Sequence, residues 1–346
     1  TWTVGCRRSF RAGPLPVFII EYSVQKNHVF LLHCNEKLQK EVPGWSGSGW
    51  TYKIKKWSKM LSGNSVFHVN QGEGKIYSKD SVAGYYNDLT EKITRFGLPD
   101  DSVPKSFVDT GEEIYFSISI FQYGLAAYDL YLITGDKKYL PKVKNCADWA
   151  VENQQTDGAW VTFAYQSKEA PYSAMAQGEA ISLLVRANMI TAEDKYLEAA
   201  KKAKSFMMKP IEKGGTTLYD NGGIILCEST DGTVILNGWI FPAWGLFDYA
   251  KTFNDEQSWR EWHNTVDMIA KWLPTYDCGY WSMYHDLGMI ASPFYHKLHI
   301  AQLRVMYKLT GDERFAKYAD KFEKYQNNWV YRKIAFCRKV FQKVLK

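Results

Sequence analysis

The densest chemistry in this sequence lies between Tyr276 and Asp286, reading Tyr-Asp-Cys-Gly-Tyr-Trp-Ser-Met-Tyr-His-Asp. It is followed by Tyr295-His296-x-x-His299. Phenols and imidazoles are proton-transfer groups, and a loop rich in both at the start of a helix suits acid–base catalysis. A tyrosine serves there only if its pKa comes down from about 10, which a neighbouring cationic His or Arg would do. His296 and His299 also have an ordinary explanation, because an i, i+3 pair at a helix start satisfies core hydrogen bonds. With Asp286 they form an incomplete coordinating set, so no metal is expected. Carboxylates for a hydrolytic pair are available at Asp157, Glu228 and Asp286.

Residues of this kind need a frame, and the frame is helical. From Ala174 to Ile190 the chain is apolar or small on nearly every side, with Glu179 and Arg186 its only charges. A helix that is hydrophobic all round is buried on all sides. Its front end is different, with Tyr172, Ser173, Gln177 and Glu179 clustered after a loop. One punctuation mark recurs four times: LITGDKKYL, MITAEDKYL, AKTFNDEQSW and KLTGDERFA. Each ends an apolar helix, turns, and places an Asp (136, 194, 255, 312) at the next helix start, where it accepts from unpaired backbone N–H groups.

The period is near sixty residues, the signature of stacked helical hairpins. The expected fold is mainly α: an α/α toroid, incomplete or closed, with a small irregular or β N-terminal region. Inner helices are expected near 113–131, 174–190, 237–253 and 296–309, and outer helices near 136–153, 194–208, 255–273 and 312–329. The long connections Gln154–Ser173, Pro210–Leu236 and Pro274–Tyr295 then gather at one mouth, the natural place for a site. In the first of them Asp157-Gly158-Ala159-Trp160 is a turn signal followed by an aromatic. Trp160 is either a packing residue or a platform for a sugar face.

Residues 1–105 read as an irregular or β region. Strand-length apolar runs lie at Val17–Ile20 and Val29–Leu32, a hairpin is expected at Ser65–Ile76, and a short helix at Val82–Phe96. A turn-rich linker, LPDDSVPK, leads into the toroid at 106–330, and 331–346 is a basic amphipathic helix with Ile334, Cys337, Phe341, Val344 and Leu345 on one face. The chain starts at Thr1 rather than Met, as a processed or truncated chain would. A net charge of +6 tolerates an anionic polymer without demanding one, and nothing resembles a nucleic-acid module. The abundant aromatics, 13 Trp and 23 Tyr, suit sugar binding as well as helix packing. Six scattered cysteines with no C-x-x-C pair fit reduced thiols in a bacterial cytoplasm.

PYSAMAQGEAISLLVRA, VILNGWIFPAWGLFDYA and YHKLHIAQLRVMYKLTGD together resemble the C-terminal domain of the D-glucuronyl C5-epimerases, from about Ser117 to about Tyr325. The resemblance implies removal of the C5 proton of a glucuronate in a heparosan-like polysaccharide and its return to the opposite face, giving L-iduronate without a cofactor. On the family pattern Tyr284 and Tyr295 fall on two functional tyrosines, and Glu228 is the acidic candidate before Leu-Asn-Gly. Tyr172, Gln177, Asn237 and His299 are expected to line the cleft, together with Trp160 where it serves as the platform. The family's Arg is absent, so His285, His296 or Arg304 is left to hold the substrate carboxylate. The resemblance also implies a homodimer. The basic tail suggests contact with an anionic inner-membrane surface, and the location expected is cytoplasmic. A polysaccharide lyase, a glycoside hydrolase or a non-catalytic polysaccharide-binding homologue are the competing readings.

Overall fold

The computed structural model describes residues 31–32, 69–107, 112–169 and 171–344. The Val17–Ile20 run, Cys6, Cys34, most of the first irregular stretch, the start of the Ser65–Ile76 segment and Leu345 lie outside the described residues. After a single turn, α1 (Glu91–Thr94), four helical pairs follow: α2 (Ser117–Thr134) with α3 (Leu140–Glu152), α4 (Ala174–Thr191) with α5 (Asp194–Met207), α6 (Leu236–Phe253) with α7 (Glu256–Trp272), and α8 (Pro293–Thr310) with α9 (Glu313–Asn327). A last helix, α10 (Trp329–Val344), closes the chain. The first members α2, α4, α6 and α8 pack on one another in chain order, each backed by its partner. This is an α/α toroid.

The turn between the members of each pair is one device used four times. Gly135, Ala192, Asn254 and Gly311 each end an inner helix in the left-handed region, at φ of 70°, 58°, 48° and 72°. The Asp side chains of 136, 255 and 312 then accept from backbone N–H groups of Lys138, Ser258 and Arg314. The second mark departs from expectation. Glu193 occupies the cap position without a side-chain bond, and Asp194 sits inside the first turn, where only the helix dipole favours it. Ala192 is also the one residue of the four with a plain Cβ in a conformation that costs about 1 kcal/mol or more without glycine. Ala192→Gly is therefore expected to stabilise the protein by about 0.5–1 kcal/mol, read as a higher denaturation midpoint in urea at unchanged slope.

Small residues decide how close the inner helices come. Gly178 of α4 lies on Pro242 of α6, and Gly245 of α6 lies on the Gly178 backbone, so a Cβ at either would overlap main chain.

Residues 69–107 pack into this body rather than standing apart from it. Lys297 of α8 donates to Asn70 (2.6 Å), Lys308 of α8 pairs with Glu73, and the Tyr85 N–H donates to Asp129 of α2 (2.8 Å). The segment thus bridges α8 to α2 and closes the ring. The expected hairpin near Ile76 is instead a single antiparallel bridge, Glu73 to Asn87, and the helix expected at Val82–Phe96 shrinks to α1. The expected linker is stapled to α3 by Lys142, which reaches the Leu98 and Asp100 carbonyls and pairs with Asp101 (3.2 Å). A minimal antiparallel sheet joins β1 (Leu31–Leu32), β2 (Ser106–Phe107) and β3 (Glu113–Ile114).

Helix α10 docks with the face opposite to the apolar one. Arg338 donates to Tyr280 Oη and the Gly288 carbonyl, Lys339 to the Ile290 carbonyl (2.7 Å), and Gln342 to the Gly288 carbonyl (2.9 Å). Ile334, Cys337 and Phe341 remain exposed. The tail clamps the loop that precedes α8. Among the described residues no helix is long and apolar enough to cross a membrane.

Candidate active site

Three loops deliver the chemistry to the N-terminal ends of the inner helices. Strands β4 (Thr217–Asp220) and β5 (Gly223–Leu226) form a hairpin whose turn residues Asn221 and Gly222 both take positive φ, the geometry that the right-handed twist of two-residue hairpins favours. β5 is buried and runs into Cys227, whose carbonyl accepts from the Ala174 N–H at the start of α4 (2.9 Å). Glu228 follows and lies against Gly238 in the first turn of α6, where any Cβ would overlap its Oε2 and Cβ. The third loop folds back on itself: the Tyr284 N–H donates to the Met289 carbonyl (2.7 Å), and the Tyr284 carbonyl accepts from Leu236 at the start of α6 (3.2 Å). This places the Tyr284 ring 4.7 Å from that of Tyr295 in the first turn of α8.

Tyr284, Tyr295 and Glu228 therefore come together, and each phenol senses both the other phenol and the Glu228 carboxyl. Burial is the largest influence on all three. It lifts the Glu228 carboxyl to about 8, with Asp231 adding to the effect. It raises both phenols above their ordinary value, and the nearby Glu228 carboxyl raises them further. The expectation of a phenol lowered by cationic neighbours is thus reversed: the neighbours are carboxyls and phenols, and a dry surrounding disfavours phenolate. Both tyrosines are proton donors at neutral pH, and Glu228 is the group of the three that ionises near neutrality.

The inner faces continue this polar lining at helical spacing. On α8 the stripe is Tyr295, His299 and Gln302; on α4 it is Glu179, Ser182 and Arg186; on α6, Asn237 and Asp248; on α2, Gln122 and Asp129. Gln122 Nε2 donates to Glu179 Oε1 (2.7 Å), and Gln302 Nε2 donates to the Asn237 carbonyl (3.3 Å). Buried atoms left without a hydrogen-bond partner concentrate here: Tyr284 Oη, Glu228 Oε2, Glu179 Oε2, Asn237 Oδ1, His299 Nε2 and Gln302 Oε1. Buried polar groups are otherwise nearly always paired, so such a cluster marks a place where a polar ligand completes the bonding. Below it, Arg186 and Asp248 form a fully buried ion pair (2.6 Å), with Tyr86 Oη donating to Asp248 (2.6 Å) and Arg186 donating to the Ala83 and Gly84 carbonyls.

Asn237 and His299 each present an unpartnered buried atom in this lining, whereas several other candidates are engaged elsewhere. His296 is a packing residue: stacked on Trp281 at 3.7 Å, its Nδ1 accepts from the Ser282 N–H (3.1 Å) and its Nε2 donates to the Phe322 carbonyl (2.9 Å). Burial pushes it down to about 3, so it carries no charge for a substrate carboxylate. The Ser282 hydroxyl lies between the Nδ1 atoms of His296 and His299, and His299 is held neutral by burial as well. Arg304 faces the outside, paired with Asp320 (2.6 Å) and Glu323 (2.9 Å). Trp160 is buried and donates to the Ala150 carbonyl (2.9 Å), which makes it a packing residue and no platform. Tyr172 packs on Phe206, with its hydroxyl donating to Gln155. His285 is half-buried in the third loop, its Nδ1 accepting from the Leu287 N–H (3.1 Å). Gln177 is buried in the first turn of α4 with neither amide atom partnered, and no described contact ties it to the cluster.

Several members of the lining were not singled out from sequence, among them Asp129, Ser182 and Asp248. Gln122 and Gln302 look like ordinary residues of apolar helices. Tyr165, which raises both phenols electrostatically, sits in a loop with no motif. Lys92 belongs to α1, in the stretch expected to stand outside the toroid. For the glutamines a signal existed: a lone amide on each helix at the interior register. Among the described residues no group of three or more His, Cys, Asp or Glu is placed to hold a metal.

A toroid of helical hairpins with an acid-and-phenol lining at its loop end defines the class. Residues 153–324, just under half of the chain, match the family described as D-glucuronyl C5-epimerase C-terminus. A D-glucuronyl C5-epimerase of Caenorhabditis elegans is 32% identical over 206 residues, covering 51% of this chain and 33% of the relative. An uncharacterised protein of Methanocaldococcus jannaschii is 29% identical over 155 residues, covering 43% and 50%. The chain thus spans between a third and a half of the length of these curated relatives. Among solved structures, the cellobiose 2-epimerase from Spirochaeta thermophila superposes with a TM-score of 0.45 at 11% identity, covering 79% of this chain and 84% of that one.

Proposed function

We propose that this chain is a C5-epimerase that converts D-glucuronate to L-iduronate residues in a heparosan-like polysaccharide. The observation that carries the reading is the meeting of Glu228 with Tyr284 and Tyr295, one group that ionises near neutrality beside two that stay protonated. Epimerisation at C5 needs a base on one face of the sugar and an acid on the other. In this reading Glu228 takes the C5 proton and a phenol returns one to the opposite face. The carbanion formed beside a carboxylate approaches a dianion, so donors on that carboxylate matter as much as the proton transfers. No step calls for an oxidant.

Because the proton removed and the proton added occupy different groups, the product takes its C5 hydrogen from solvent. In D2O, heparosan treated with the protein is expected to gain deuterium at C5 of the newly formed iduronate. Tyr284→Phe and Tyr295→Phe, made singly, are each expected to slow this by about 100-fold or more. Full incorporation in both variants removes the tyrosines from the chemistry. A second reading has one observation behind it: Glu179 lies within electrostatic reach of Glu228, so a carboxyl pair is present. Hydrolysis would then yield new reducing ends, and a lyase an unsaturated product that absorbs in the ultraviolet. Either product without deuterium at C5 would replace the epimerase reading.

A further inference from the structure

Of the buried cations among the described residues, three are already committed. Arg186 is paired with Asp248, Lys142 with Asp101 and two carbonyls, and Lys339 with the Ile290 carbonyl. The fourth is Lys92, on α1, exposed by only 7% and with no hydrogen bond or ion pair to satisfy its ammonium. Most of this side chain is out of water while no described group of the chain pairs with its ammonium, so it marks a place where an anion arriving from outside the chain gains a partner.

The charge that Lys92 senses is Glu179, and Glu179 in turn senses both Lys92 and Glu228. Glu179 accepts from Gln122 of α2 (2.7 Å), the helix on which α1 with Lys92 packs, so the cation lies beside the same polar interior. Burial disfavours the charged form of Glu179, which makes it a weak counter-ion for Lys92. Of the candidates named for this duty, Arg304 is paired on the outside, His296 is neutral, and His285 is held in the third loop with its Nδ1 accepting from the Leu287 N–H.

We propose that Lys92, brought in by the segment that closes the ring between α8 and α2, holds a carboxylate of the bound uronic acid polymer. The proposal rests on the epimerase reading and deepens it, since it assigns a substrate-binding group to a segment outside residues 153–324. The rival explanation is that Lys92 only balances the field of Glu179.

The test is equilibrium binding of heparosan oligosaccharides and of the same oligosaccharides with their carboxyls reduced to alcohols. Both are titrated into the whole chain, Lys92→Met and Lys92→Arg. The unaltered protein is expected to prefer the acid form. Lys92→Met is expected to lose about 100-fold in affinity for the acid form, the scale of a buried charge-assisted bond. Its affinity for the reduced form should be unchanged, which also shows that the variant is folded. Lys92→Arg should recover most of the preference. If Lys92→Met still discriminates acid from alcohol as the unaltered protein does, the proposal is overturned while the epimerase reading stands. If the unaltered protein binds neither form, the polymer reading falls and takes the proposal with it.

Discussion

Glu228→Gln is expected to lower C5 exchange by about a thousand-fold or more while making the protein more stable above neutral pH. The two effects have one origin. Burial raises the Glu228 carboxyl from its ordinary 4.5 to about 8. A carboxyl whose folded value is raised holds its proton in the native state while the unfolded chain has already released it. Its contribution to stability is fully present below about 4.5 and is lost as pH rises through about 8. Glutamine never ionises, so the variant escapes that loss. The stability difference should be near zero at pH 4.5 and grow to about 4–5 kcal/mol at pH 8 and above. Denaturant melts of both proteins across this range check it, and equal stability at every pH would sink the assignment of a buried, raised carboxyl. In the unaltered enzyme kcat/KM should rise with pH through about 8, because the base must be ionised to accept the C5 proton. A group kept at a cost to the fold is what a catalytic site displays.

The architecture was legible because each helical pair repeats the same local instructions. An all-apolar helix, a left-handed turn residue and an Asp cap each act within a few residues, so LITGDKKYL and KLTGDERFA announce the same geometry. The site was legible only in part. Tyr284, Tyr295 and Glu228 stood out through a resemblance, and the structure brings them together. His296 and Arg304 failed for a shared reason: their type suits carboxylate binding, but their register turns His296 against Trp281 and Arg304 toward Asp320 and Glu323. A helix position one residue away points about 100° elsewhere, and sequence alone does not say which direction is the interior. Lys92 shows the complementary failure. Nothing in Glu-Lys-Ile-Thr indicates that this turn reaches the ring, since the contacts that place it, Asn70 to Lys297 and Tyr85 to Asp129, join parts of the chain far apart in sequence.

The floor of the interior sets up the second large effect. Arg186→Met should destabilise the protein by about 3–5 kcal/mol, because it leaves Asp248 buried with only the Tyr86 hydroxyl for company. The guanidinium does more than pair. Its remaining donors hold the Ala83, Gly84 and Ser182 carbonyls, at 2.8, 3.1 and 2.8 Å. Ala83 to Tyr86 is the part of the 69–107 segment that bonds to Arg186, Asp129 and Asp248, and α1 with Lys92 follows it within a few residues. Removing the whole ion pair with Arg186→Met and Asp248→Leu should cost less than the single change, since no charge is then stranded. The carbonyls at 83 and 84 would still lose their donors, so the double variant should regain stability without regaining amide-exchange protection in residues 83–86. Urea melts and hydrogen exchange separate the two contributions. A double variant no more stable than Arg186→Met alone would mean that stranded charge is not what the floor guards against, and that the anchoring of residues 83–86 is the larger part.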